Sequence, residues 1–382
     1  MDNMLNCKVA KKCNSCQLNN LSYQEQLKFK QSKCYKFLGS FCRVDNIIGM
    51  ENPFSYRNKA QAVFKRERDK TISWGLYKST TNTIVKTREC RLHTKHSNEI
   101  FNSLCALFKS FKISPYDPFR GTGFIKSVVI REGFNSGEVM VILNGADSLF
   151  PAKKTFVSAL LKKHPCITTI VTTVNKDPKK LFIGKTQDVL FGEGYIKDVL
   201  CGKTFIISPQ SFYQINPMQT EKLYQKAIEL ADLDGSQTVL DSYCGVGTIG
   251  ICASDKAKKV YAVESVKDAI IDAKKNAKLN SIKNIEFVCA DAKDYIAYLK
   301  DEGIKIDVAF VDPPRMGCSK EFLQSIIDMD IKTVVYVSCN IETQSRDLRL
   351  LKKHGYKVEH ITPVDMFPHT NHVESIALIK KI

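Results

Sequence analysis

The sequence predicts an α/β protein: a C-terminal parallel sheet covered on both faces, preceded by an N-terminal region that is mainly β. Three observations carry this. From about residue 217 onward, short apolar runs alternate with helix-period segments such as VKDAIIDAKKNAKLN and KEFLQSIIDM. The runs TVLDSYC, KKVYAVE, NIEFVCA, IDVAFVD and TVVYVSC are rich in Val and Ile throughout, as strands buried on both faces are. Between about residues 56 and 206 the texture is instead that of short strands broken by Gly and charged turns. The change falls near 206–216 and divides the chain into regions 1–206 and 207–382.

Length and composition agree. A chain of 382 residues with 43% hydrophobic and 25% charged side chains can bury two cores. Its net charge is +17, and residues 1–100 hold 19 basic against 8 acidic residues. Most of the excess therefore sits in the first quarter, which suggests an N-terminal surface for a polyanion. No stretch approaches 18 apolar residues, so no membrane span is expected. The opening MDNMLNCKVAKKC lacks the apolar core of a secretory signal, so the chain is expected to stay in the cytoplasm. There, 14 cysteines do not make a disulfide framework.

In chain order, residues 22–38 read as a basic amphipathic helix capped by Ser22, with Leu27, Cys34, Phe37 and Leu38 apolar. This helix is a candidate to pack on the C-terminal half. AQAVFKRERDKTISWGLY reads as strand, charged turn, strand; residues 97–110 as helix; FIKSVVIREGFNSGEVMVIL as a hairpin turning at Asn135-Ser136-Gly137. TTIVTTVN and the runs within LFGEGYIKDVLCGKTFII read as further strands, and NPMQTEKLYQKAIELAD opens the C-terminal half as a helix.

The first strand of that half ends in LDSYCGVGTIGI. Gly245 and Gly247 fall where strand turns into helix and let backbone approach a ligand. A glycine pair alone also fits an ordinary packed turn. However, Glu264, Asp291 and Asp312 end the next three strands, all at the carboxyl edge where open α/β sheets bind ligands. Glu264, 19 residues after Gly245, is placed to accept hydrogen bonds from ribose hydroxyls, and Asp291 to meet an adenine edge. The loop lacks the full G-x-G-x-x-G of nicotinamide binders, which favours S-adenosylmethionine.

The chemistry is expected after the fourth and fifth strands. VDPPRMG is a loop stiffened by two prolines, and VSCN puts Cys339 at the same edge. Thirty-five residues further on, Glu374 lies near the start of a last strand, SIALI. A thiolate and a base suit methylation of uracil at carbon 5: thiolate addition at carbon 6 makes carbon 5 nucleophilic, and a base later removes its proton. A lone cysteine is more often buried core, and Glu374 alone also fits a structural partner of His369 or His372.

SPQSFYQINP, LDSYCGVGT, VDPPRMG, YVSCN and DMFPHTNHVE in this order resemble the RNA uracil-5-methyltransferases over nearly the whole chain. The likeness is greatest to the iron–sulfur 23S rRNA enzymes of the short RumB type, without a TRAM domain. The resemblance implies a Rossmann-like class I methyltransferase fold. It implies Cys339 as nucleophile, Glu374 as general base, and Gln214, Tyr243, Glu264, Asp291 and Asp312 around S-adenosylmethionine. Thr248 departs from the Asn or Gly expected in relatives and is left out of these contacts.

Cys7, Cys13 and Cys16, in C-x5-C-x2-C, with Cys90 further on, have a spacing that suits iron–sulfur or zinc equally. The resemblance implies a 4Fe–4S cluster on these four, pinning the N-terminus to the β region. Cys34 and Cys42 compete as ligands, but their helical context favours packing. Arg57, Lys59, Lys65, Arg66 and Arg68, with Tyr56, Phe64 and Trp74 nearby, are expected to meet RNA through phosphates and stacked bases. The expected substrate is a loop uridine of 23S rRNA, with no obligate protein partner. Alternatives are the same chemistry on tRNA, amine methylation through the DPP loop, and an iron–sulfur sensor that binds RNA.

Overall fold

The computed structural model describes residues 5–78, 83–148, 150, 152–177, 184 and 186–382. After a short helix α1 (Ala10–Cys13) comes α2 (Tyr23–Leu38). Ser22 caps α2 in a reciprocal box with Glu25, satisfying backbone N–H groups at its start. The helix lies on the C-terminal half of the chain. Cys34 and Leu38 are fully buried in that half's core, and the Lys30 ammonium pairs with the Asp365 carboxylate with both side chains excluded from solvent. The adjoining segment bridges Val44 to Ile361 and Ile48 to Val364, covering a sheet edge that would otherwise be open.

The N-terminal sheet contains β1 (Lys59–Arg66), β2 (Ile72–Tyr77), β3 (Ile84–Thr87), β4 (Ile125–Glu132), β5 (Val139–Gly145), β6 (Ile167–Val174) and β7 (Thr186–Phe191), in the order β3-β2-β1-β4-β5-β6-β7. Helices α3 (Lys95–Ser110) and α4 (Lys153–Lys163) supply Phe101, Phe108 and Phe156 to its core. The region is less purely β than its sequence suggests. The α4 segment was not anticipated, and it makes β5 and β6 a parallel pair, which needs such a crossover. Tyr56, Phe64 and Trp74 are 0%, 3% and 1% exposed, so the sequence expectation that they stack RNA bases is corrected. Phe64 and Trp74 fill the core under β1 and β2, and Tyr56 packs with Leu5, Tyr23, Met50 and Leu92, where burial of a large apolar surface outweighs any exposed role. Arg57 and Lys59 are likewise largely withdrawn, whereas Lys65, Arg66 and Arg68, with Lys70 beside them, are exposed.

A small hairpin, β8 (Ile196–Leu200) and β9 (Lys203–Ile207), leads into α5 (Pro217–Ala231). The C-terminal sheet is then built from β10 (Thr238–Ser242), α6 (Thr248–Ala253), β11 (Lys259–Glu264), α7 (Lys267–Leu279), β12 (Ile285–Cys289), α8 (Ala292–Asp301), β13 (Val308–Val311), α9 (Lys320–Asp328), β14 (Thr333–Ser338), α10 (Ile341–Lys353), β15 (Tyr356–Val364) and β16 (Glu374–Lys381). Its order is β12-β11-β10-β13-β14-β16-β15. β10 to β14 run parallel and β16 inserts antiparallel between β14 and β15. The order reverses at β10, flanked by β11 and β13, so a crevice opens there at the carboxyl ends. Separate cores on the two faces explain the uniformly apolar strands. Among the described residues no helix is long and apolar enough to cross a membrane.

Candidate active site

At the end of β10 the chain turns through Tyr243, Gly245 and Gly247, with φ of 62°, 57° and 82°. A Cβ on Gly245 would meet nothing within 4 Å, whereas one on Gly247 would lie 2.9 Å from the Phe287 ring. Gly245 is thus required by its backbone angle and leaves open space beside it, and Gly247 is required by packing. The Gly245 N–H donates to Glu264 Oε2 at 3.2 Å, and the Val266 N–H to Glu264 Oε1 at 2.9 Å. These bonds fix the carboxylate at the tip of β11. Asp291 caps α8 through a bond from the Lys293 N–H at 3.0 Å. Beneath the turn, Asp241 accepts the Gly250 N–H at 2.8 Å, and burial pushes its carboxyl up to about 7.

One cavity of about 1380 Å³ lies over this edge. Gln214, Tyr243, Glu264, Asp291, Asp312, Cys339 and Glu374 all line it, so the structure brings together every residue nominated for cofactor and catalysis. Cys339 follows β14 and Glu374 opens β16. The ladder between these strands ends on the pair Ser338–Ser375, so Cys339 and Glu374 occupy the next opposed positions. Asn340 Nδ2 donates to the Arg315 carbonyl at 3.0 Å and ties the Cys339 turn to the DPP loop.

The electrostatics are those of a site that holds protons. Burial, reinforced by Asp312, pushes Glu374 up to about 8, and the Arg315 guanidinium opposes it. Burial pushes the Cys339 thiol up, with help from Glu374 and Asp312, again opposed by Arg315. Burial alone raises Asp312 to about 7. The Glu374 carboxyl, raised by burial, is protonated more readily than an exposed one, the direction that suits proton transfer near neutrality.

The loop before Glu374 is braced by the N-terminal segment. Asp365 accepts from Tyr23 Oη at 2.9 Å as well as from Lys30. His369 is held by Gln26, which accepts its N–H at 2.8 Å and meets Nδ1 at 3.1 Å, and by the Pro53 carbonyl. Leu18 N–H donates to the His369 carbonyl at 3.0 Å, and Tyr56 Oη to that of Pro368 at 3.1 Å.

Several wall residues escaped the sequence reading. Arg315 lies inside the VDPPRMG motif, between the two prolines and Met316. Thr248, set aside there, hydrogen-bonds Tyr224 Oη at 3.0 Å and lines a pocket shared with Gln214 and Asp312. Arg131, fully buried on β4, donates to the carbonyls of Ser208 (2.9 Å) and Ser211 in the cavity wall. Nothing local in the sequence marks a residue that acts across such a separation.

Cys7, Cys13, Cys16 and Cys90 line a second cavity, of about 610 Å³, with Arg57 and His93. Cys34 sits elsewhere, in the core under α2. Among the described residues no group of three or more His, Cys, Asp or Glu is placed to hold a metal ion. Buried Arg57 Nε and His93 Nδ1 have no hydrogen-bond partner among the described residues.

Residues 181–382 match the family model described as tRNA (Uracil-5-)-methyltransferase. An uncharacterized RNA methyltransferase of Caldanaerobacter subterraneus subsp. tengcongensis is 41% identical over 382 residues, covering 98% of this chain and 84% of its own length. One from Staphylococcus aureus strain MSSA476 is 39% identical over 377 residues, covering 97% and 83%. The Pyrococcus abyssi tRNA (uracil-54, C5)-methyltransferase, solved with S-adenosyl-L-homocysteine, superposes with a TM-score of 0.82 at 29% identity, covering 95% of this chain and 85% of that one.

Proposed function

The chain belongs to the family of S-adenosylmethionine-dependent RNA uracil-5-methyltransferases, and on that premise we propose that it makes 5-methyluridine in 23S rRNA through a Cys339 adduct. One observation carries the mechanism: Cys339 and Glu374 line a single cavity with the carboxylates of the β11, β12 and β13 tips. Glu264, Asp291, Asp312, Gln214 and Tyr243 hold the cofactor, which supplies an electrophilic methyl. Cys339 Sγ, as thiolate, would add to carbon 6 of the uracil, and the C5–C6 electron pair would move to carbon 5, which would bond the methyl as the methyl–sulfonium bond breaks and leaves S-adenosylhomocysteine. Glu374 then accepts the carbon-5 proton, the carbon 5–carbon 6 double bond re-forms, and Cys339 leaves as thiolate. The target base must leave its stack to enter the cavity, so an unpaired loop uridine is the economical substrate. In this reading residues 1–206 recognise RNA and 207–382 carry the chemistry, with α2 assigned by packing to the second. The enzyme acts in the cytoplasm.

Cys7, Cys13, Cys16 and Cys90 are proposed to hold a 4Fe–4S cluster. The cavity they line is wider than one ion needs, and a cluster takes one thiolate per iron. The Arg57 guanidinium, whose Nε is without a partner among the described residues, suits an anionic sulfur-rich body. When bound, the cluster supplies a cross-link and a potential electron site, and no step of methyl transfer runs through it.

The Pyrococcus abyssi structure favours a second reading, that the uridine is in tRNA. Mapping 5-methyluridine in 23S rRNA and tRNA from cells with and without the gene decides. Loss of a 23S rRNA site supports the first reading and loss of a tRNA site the second. No loss in either overturns both.

A further inference from the structure

We propose that the turn at residues 117–122 is a rigid stacking contact for an unpaired base of the RNA substrate, remote from the base being methylated. Phe119 is 99% exposed, more than any other large apolar side chain among the described residues. A single exposed apolar residue is ordinarily unremarkable. This one is held out by a locked turn. Asp117 Oδ1 accepts the N–H groups of Phe119 at 2.9 Å and Arg120 at 3.3 Å, and Asp117 bridges to Thr122. Gly123 follows at φ 104° against the Pro115 carbonyl, which leaves no room for a Cβ. A turn whose backbone is fixed in this way presents the ring at a set position, so little main-chain freedom is lost when a base stacks on it.

Its surroundings specify the partner. Ser114, at the base of the turn, accepts from Arg66 Nη2 at 3.2 Å, so the turn stands beside the β1–β2 connection with exposed Lys65, Arg66, Arg68 and Lys70. Arg120 adds an exposed guanidinium, in an exposed ion pair at 3.8 Å with Asp117. Cations for phosphate around a presented ring are the elements of single-strand recognition. They replace Tyr56, Phe64 and Trp74, which the fold buries.

Register gives the distance. β1 and β4 are antiparallel, with Lys59 opposite Arg131, and Arg131 holds the cavity wall at Ser208 and Ser211. The turn precedes Ile125, at the other end of β4. At ~3.4 Å per residue the two ends lie roughly 20 Å apart. Phe119 therefore meets the RNA well away from the flipped uridine.

This rests on the RNA-methylating reading. The test uses the full chain with total RNA from cells lacking the gene, reading RNA retention, methyl transfer and melting temperature. Phe119→Ala is expected to raise the RNA Kd and KM about 5- to 150-fold, the range that ~1–3 kcal/mol of stacking per base converts to. The kcat should stay within about twofold and the melting temperature should not move. Phe119→Trp should retain wild-type affinity and Phe119→Leu should not. Unchanged RNA affinity in Phe119→Ala overturns the proposal, as does full rescue by Leu. A wild type that transfers no methyl yet shows Phe119-dependent RNA retention overturns the reaction and upholds the surface.

Discussion

Cys339 and Glu374 occupy opposed positions one step beyond the Ser338–Ser375 pair of β14 and β16, although 35 residues separate them in the chain. An antiparallel strand inserted beside the last parallel one brings a residue from the end of β14 level with one from the start of β16. Both then line the cavity at the carboxyl edge. The chemistry depends on that topology.

Glu374→Gln removes the proton acceptor while keeping shape. Adduct formation should persist, and release should slow by about 10²–10⁴-fold. The check is accumulation of covalent protein–RNA complex on denaturing gels with unmodified RNA. Turnover without a trapped complex would transfer the base role to another group.

Stability should fall as the solution becomes more alkaline. Glu374 sits at about 8 in the fold against 4.5 for an unburied group, and Asp312 at about 7 against 3.8. The folded state thus binds these protons more tightly. Their stabilising contribution is full below about 4 and is lost as pH rises through 7 to 8. Glu374→Gln should flatten that loss, by at most about 5 kcal/mol, when urea unfolding at pH 5 and pH 9 is compared. The rate of adduct release, which Glu374 governs, should rise over the same window, and Arg315→Gln should move its midpoint upward, because the guanidinium holds the Glu374 carboxyl down.

Lys30→Met should destabilise the protein by about 3–5 kcal/mol, because it strands the Asp365 carboxylate in a dry site. Urea midpoints with an unchanged slope would report it. Adding Asp365→Asn should recover part of the loss. A change under about 1 kcal/mol would show that the pair does not brace the loop before Glu374.

Protein purified without oxygen should carry about four irons with broad visible absorbance, as a four-thiolate cluster requires. Cys13→Ser with Cys16→Ser should abolish the absorbance. Stoichiometric zinc without iron would replace the cluster with a single-ion site.

The alternating half was legible because buried parallel strands are apolar at every position, and because its ligand-facing residues end those strands. The Gly245 turn, Glu264, Asp291, Asp312 and Cys339 follow from that rule, and the structure collects them in one cavity. β15 escaped because YKVEHITPV mixes charge with apolar residues, and the 44–48 segment that covers its edge lies far away in sequence. The aromatic residues near the basic segment misled for a related reason. Composition shows that rings and cations are neighbours along β1, but only the sheet shows that alternate positions point into the core. Arg131 and the Gln26–His369 brace were invisible because each acts between distant segments.

The most direct test is incubation of the enzyme with S-adenosylmethionine and RNA carrying 5-fluorouridine, followed by peptide mapping. Fluorine at carbon 5 leaves no proton for Glu374 to remove. A methylated RNA adduct should therefore accumulate on Cys339, and Cys339→Ala should form none. Methyl transfer with no covalent complex, or an adduct mapped to another cysteine, would contradict the pairing of Cys339 and Glu374 as nucleophile and base.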